Sequence, residues 1–149
     1  MARPLVTVLI ATAAAGTLQL GIAFLLAAAS GRGILPVLRE IAAGLFGENM
    51  RAAGANGAAI GLAIHFAAVA VMVLLYLLAA RRLARLRSHP LVGGMGYGLL
   101  LGGLHWLLAA RGLPTPFPQV TPVDTSVALV AYLTCLGLPI GWLIARRGR

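Results

Sequence analysis

Lysine is missing from this chain, and aspartate and glutamate together number three in 149 residues. Charged residues are 10% of the total, against about 25% in an average soluble domain. A soluble globule of this length needs more polar surface than that, so a soluble enzyme is excluded. With 60% hydrophobic residues, a disordered chain is excluded too. Cys135 is the single cysteine. It can form no intrachain disulfide, and quinone-linked disulfide chemistry on paired cysteines is excluded with it. Hydrolase motifs are also missing: there is no Gly-x-Ser-x-Gly and no His-Glu-x-x-His.

What remains is apolar and basic. Mean hydropathy is +0.96. All twelve basic residues are arginine, and the net charge is +9. Such a charge fits a nucleic-acid binder, but these arginines flank apolar segments and orient them, so no nucleic-acid partner is expected. A bilayer-spanning helix needs about 20 apolar residues. Four segments qualify, at about Leu5–Ala29, Gly57–Ala80, Leu91–Ala110 and Thr125–Ala145. None holds Asp, Glu or Arg in its interior. Backbone groups in hydrocarbon must be satisfied within the segment, so the spans are helices. The first apolar run is too long for a signal peptide's core and reads as a span. The expected fold is therefore all-α: one transmembrane domain of four helices over residues 1–149.

Arginine placement orients it. With the N-terminus inside, Arg3, the cluster Arg81, Arg82, Arg85 and Arg87, and the tail Arg146, Arg147 and Arg149 are cytoplasmic. Arg32, Arg39, Arg51 and Arg111 are outside, with Glu40, Glu48 and Asp124. Both termini are then cytoplasmic, in a bacterial inner membrane. The inner arginine cluster reads as a short turn at anionic lipid headgroups. Tyr76, Tyr97 and Trp142 fall near inner span ends and Trp106 near an outer one, as interfacial aromatics do.

Two outer connections differ in kind. Ile34, Leu35, Leu38, Ile41, Ala42 and Leu45 recur at helical spacing, with Arg39 and Glu40 opposite. This predicts a short amphipathic helix over 34–46, lying on the outer interface or packed on the bundle as a lid. The other connection carries Pro114, Pro116, Pro118 and Pro122, which predicts a stiff, extended segment. Pro139 falls inside the fourth span and should kink it, with Thr134 or Cys135 softening the cost.

Glycine spacing indicates how the helices meet. Gly94, Gly98 and Gly102 lie four apart on one face, and Gly57 and Gly61 repeat the pattern on the second span. Lipid supplies no hydrophobic drive between helices, so small residues that allow close approach supply the contact. A Gly-rich phosphate loop does not fit, because no Lys follows and the glycines lie within a span. His65 and His105 continue the two stripes and should face protein. By helical rise they stand about 12 and 8 Å below the outer ends, Tyr132 about 10 Å and Gln19 about 15 Å. Gln19, His65, His105 and Tyr132, one from each span, should converge as a polar layer. It is read either as an interhelical hydrogen-bond layer, or as a ligand or proton site. Two facing histidines can also hold a haem iron, but no carboxylate or thiolate completes a metal set. No metal or cofactor is expected. His89, before Pro90, reads as an interfacial cap, and Ser30, Ser88 and Ser126 as caps at segment ends.

Several short stretches resemble a known family. These are Val37-Leu38-Arg39 with Ile41-Ala42 and Gly44-Leu45, Gly61-Leu62 with His65-Phe66, His89-Pro90 with Gly94 and Tyr97-Gly98, and Gly137-Leu138-Pro139-Ile140. In this order, from about Thr12 to Arg147, they resemble the small four-helix bacterial inner-membrane proteins of the YagU-like kind, whose function is largely uncharacterised. The resemblance implies the fold and the location. Members of that family often carry Asp where this chain has Gln19, His where it has Tyr132 and Asn where it has Trp106. His105 falls where they are usually apolar. A polar site inherited from the family would be less ionisable here. The expectation is a non-enzymatic accessory or structural protein in the lipid bilayer, packing with itself or a larger membrane complex. The alternative is a carrier or binding module for a lipid-like or redox ligand at the polar layer.

Overall fold

The computed structural model describes residues 2–113 and 122–147, with side chains over 5–113 and 126–146. The elements are α1 (Ala2–Ala29), α2 (Ile34–Phe46), α3 (Asn49–Ala52), α4 (Gly54–Arg82), α5 (Ala84–Ser88), α6 (Pro90–Ala110), α7 (Pro122–Ala131), a π-helical stretch (Tyr132–Gly137) and α8 (Leu138–Arg147). Among the described residues, all regular structure is helical. Four stretches are long and apolar enough to cross a membrane: Leu5–Ala29, Gly54–Arg82, Pro90–Ala110 and Ser126–Arg146. They match the sequence reading, except that the second is longer at both ends. The proline-rich stretch at Pro114, Pro116 and Pro118 lies outside the described residues, as do Arg149 and the side chains of Arg3, Asp124 and Arg147.

Local chemistry sets the ends. The Ser30 hydroxyl donates to the carbonyls of Leu26 and Ala27 at 2.9 and 3.0 Å, adding to the backbone bonds those carbonyls accept from the Ser30 and Arg32 N–H groups. Gly47, with φ +85°, closes α2, a backbone conformation that costs glycine little. Pro90 opens α6, where its missing N–H costs nothing. His89 holds the capping position, but its side chain makes no capping bond. Its carbonyl instead accepts the Gly93 N–H at 2.8 Å. Arg81 and Arg82 end α4, while Arg85 and Arg87 stand on α5, all four exposed. The expected turn is thus a short helix.

The fourth span packs against both α1 and α6, and α1 packs against α4. Ala11, Ala15, Val69, Val73, Tyr76, Leu136 and Ile140 make the buried centre. Tyr97 and Tyr76 are not lipid-rim aromatics. Tyr76 is buried, and Tyr97 lies 5.1 Å from it, ring to ring. The Tyr97 hydroxyl donates to the Met72 carbonyl at 2.7 Å, tying α6 to α4. A phenol within hydrocarbon needs an acceptor, and this backbone carbonyl provides one.

On α6, Gly94 and Gly98 are buried against the fourth span. A methyl on Gly94 would overlap the Gly137 carbonyl, and one on Gly98 the Tyr132 carbonyl. Gly137 and Gly141 reciprocate, facing Gly94 and the Pro90 carbonyl. Gly57 and Gly61 meet different partners from those expected. They face α3 and α2 rather than another span: a Cβ on Gly57 would lie 2.5 Å from the Met50 carbonyl, and one on Gly61 would overlap the Leu38 carbonyl.

α2 buries Leu38, Ile41, Ala42 and Ala43 and packs chiefly on α4. Ile34, Leu35, Leu45 and Phe46 stay exposed at its two ends. Arg39 does not simply point away, since its stem covers Gly57. Glu40 accepts two hydrogen bonds from Arg51, at 2.8 and 2.9 Å, and Arg51 also pairs with Glu48.

The π-helical stretch ends two residues before Pro139. Proline offers no N–H, and its ring clashes with the carbonyl four residues back. A widened turn is one way to absorb that misfit. The Thr134 hydroxyl donates to the Val130 carbonyl at 2.7 Å. It therefore serves the start of the widened turn and not the acceptor that Pro139 frees.

Candidate functional site

His65 is 1% exposed on α4. Its Nε2 lies 2.9 Å from the Gly16 carbonyl of α1. A carbonyl can only accept, so Nε2 carries the proton and donates. Gly16 itself accommodates the neighbouring ring, since a Cβ there would lie 2.7 Å from Cε1 of Phe66. The Phe66 ring stands edge-on to His65 at 5.2 Å. The helices are thus locked by one hydrogen bond and one aromatic insertion on the same turn of α1.

Gln19 lies one turn further along α1, buried at 8% exposure. It interacts through its side chain with Tyr132, which is 2% exposed at the start of the π-helical stretch. His105, also buried, places its ring 5.7 Å from that of Tyr132, tilted by 32°. Gly102 makes this possible. A Cβ there would lie 2.9 Å from Leu129 Cδ2 and 3.3 Å from Tyr132 Cβ. The structure therefore joins Gln19, Tyr132 and His105 from three spans in one group, with His65 bound to α1 a turn away.

The group opens on a groove between α1 and α7, of about 120 Å³. Ile22, Ala23 and Leu26 form one wall, and Val127, Ala128 and Ala131 the other. Spans one and four run antiparallel, so Gln19 and Tyr132 share the deep end and Leu26 and Val127 the shallow end.

At the opposite surface, Arg146 covers the Trp142 ring at 4.2 Å. Arg81 and Arg82 close α4 more than four helical turns beyond His65, Arg85 and Arg87 follow on α5, and none of the four lines the groove. Outside the spans, the Arg51 guanidinium is held above its ordinary pKa by its hydrogen bond to Glu40.

Gly16, Gly137 and Gly141 are contact residues that the spacing argument left out. The four-residue interval from Gly137 to Gly141 is visible in the sequence, interrupted by Pro139. Gly16 has no such signal, because its role depends on a ring and a histidine from another helix. No protein-family model, curated protein or solved structure matches the chain.

Proposed function

We propose that this chain is a non-enzymatic accessory or structural protein of the bacterial inner membrane, with both termini cytoplasmic. One observation carries the proposal: His65 directs its protonated Nε2 at the Gly16 carbonyl of a neighbouring helix. That nitrogen has no lone pair left for a metal, and Nδ1, which keeps one, has no accessible surface. The histidine holds two helices in register, as polar groups do where lipid offers no other partner. His105 packs its ring against that of Tyr132 on another span, 5.7 Å away and tilted by 32°.

The glycine faces fit this role. Gly94 and Gly98 bring α6 against the fourth span, and helix association in lipid relies on such close approach. α2 serves as an amphipathic cover on the outer side. Its buried face rests on α4, and Ile34, Leu35, Leu45 and Phe46 enter the lipid interface, where apolar side chains are accommodated. The bilayer is the first partner, and further copies of the chain or a larger membrane complex are the second.

An oxidised and reduced absorption spectrum of the purified protein in mild detergent tests the central point, alongside cross-linking in native membranes. The expected results are a featureless visible spectrum and cross-linked species of defined stoichiometry. A Soret band lost in His65→Ala or His105→Ala would overturn the proposal. So would a solitary monomer in native-like lipid that shows catalytic turnover.

A further inference from the structure

Four arginines crowd the connection between the second and third spans. Arg81 and Arg82 close α4, and Arg85 and Arg87 follow on α5. All four are exposed, and none makes an ion pair among the described residues. The chain's acids are placed elsewhere. Glu40 and Glu48 are engaged by Arg51, and Asp124 falls at the start of α7, the far end of the fourth span.

Packing brings a fifth arginine to the same end. Gly141 of α8 sits against the carbonyl of Pro90, which opens α6, and α8 runs on to Arg147. Arg146, lying over the Trp142 ring, therefore stands on the same side of the bundle as α5. Ala80 and Ile144 share one buried cluster, with Leu86 of α5 packed against it. Leu86 also fills the space beside Gly93, where a Cβ would lie 2.9 Å from its Cδ2. α5 is thus seated on the bundle, with Arg85 and Arg87 about 100° to either side of its anchoring leucine.

The surroundings choose between anions. Leu83, Leu91 and Val92 are each more than half exposed and border the arginines along the chain. A soluble polyanion would neutralise the charges and leave this apolar fringe in water. A phospholipid meets both needs, phosphate against guanidinium and acyl chain against the leucines. A zwitterionic headgroup brings a cation of its own. An excess of positive charge with no carboxylate nearby favours a headgroup that is negative overall.

We propose that α5 and the end of α8 form a selective site for an anionic phospholipid of the phosphatidylglycerol class. The site deepens the membrane reading above and rests on the placement of the spans in a bilayer. It does not rest on which leaflet the arginines face.

The test reads lipid selectivity through the two tryptophans, both exposed. The full chain is placed in phosphatidylcholine nanodiscs that contain increasing fractions of brominated phosphatidylglycerol or brominated phosphatidylcholine. Trp106→Phe leaves Trp142, beside Arg146, as the reporter, and Trp142→Phe leaves Trp106 at the other end. Quenching of Trp142 is expected to show about fivefold preference for phosphatidylglycerol, the factor that one arginine's attraction to an anionic surface supplies. Trp106 should show a smaller preference. Arg85→Gln with Arg87→Gln should lower the preference at Trp142 to about twofold or less, whereas Arg32→Gln with Arg111→Gln should leave it unchanged. A thermal melt establishes that the variants fold. If the first pair does not, salt carries the test on the parent chain, where screening should lower the preference at least twofold. A chain that fails to enter nanodiscs would overturn the membrane reading and the site with it. A chain that enters them without preference at Trp142, or with equal preference at Trp106, would overturn the site alone. So would a preference that survives the folded Arg85 and Arg87 variant or high salt, or one lost with Arg32 and Arg111. A single-stranded oligonucleotide that abolished the quenching by phosphatidylglycerol would overturn it in favour of nucleic acid.

Discussion

His65 shows how much one polar side chain can do between helices in lipid. Its bond to Gly16 spans α4 and α1 at a fully buried position. Interhelical bonds of this kind contribute roughly 0.6 kcal/mol on average, and up to about 1.7. His65→Ala is expected to lower stability by about 1–2 kcal/mol, and His65→Asn, which retains a donor, to recover part of the loss. Unfolding in mixed micelles measures both; a His65→Ala variant as stable as the parent would remove the histidine from any structural role. Arg51 offers the contrast. Its pairs with Glu40 and Glu48 sit on the exposed surface, where water competes for every bond. Arg51→Ala should leave the melting temperature unchanged, and a clear drop would show that these pairs are shielded. Of the residues singled out by spacing, the burial of His65 and His105 was legible because both continue glycine stripes. The acceptor on Gly16 was not, since it depends on which turn of a distant helix comes opposite.

Helices α6 and α8 meet through backbone, and this makes their glycines unequal. A methyl at Gly98 would strike the Tyr132 carbonyl, whereas one at Gly96 would meet nothing within 4 Å. Gly98→Ala should therefore destabilise by about 1–3 kcal/mol, because a backbone must shift. Gly96→Ala should be neutral or slightly stabilising, since alanine is the better helix former. Equal effects in a chemical melt would contradict the packing. α2 depends on Gly61 in the same way. Gly61→Val is expected to lift α2 from α4 and expose Arg39, so that trypsin cuts there several-fold faster than in the parent. An unchanged cleavage rate would mean that α2 docks by other contacts. The existence and bounds of α2 could be read from the 3.6-residue period. Its seat could not, because the same apolar stripe suits a lipid interface and a protein surface equally well.

The proposed topology of four crossings puts both termini on one side, and the arginine bias chooses which. Eight of the twelve fall on the side proposed to be cytoplasmic. In a Cys135→Ala background, Ala52→Cys should react with a membrane-impermeant maleimide in intact cells, and Arg87→Cys only after lysis. The reverse pattern would invert the proposed topology.

The positions of the four spans followed from composition and segment length alone. Burying a charge or an unpaired peptide group in hydrocarbon costs several kcal/mol, so long apolar runs have few alternatives to forming helices. The arginine bias and the glycine periodicities are likewise written along single segments. Tertiary structure decided the rest: that Gly57 and Gly61 receive α2, that Tyr76 and Tyr97 turn inward, and that Gln19 meets Tyr132 at the floor of a groove. Each of these depends on the rotation and depth of one helix against another. Those are set by the fit of many small contacts between segments far apart in the chain, and no single segment encodes them.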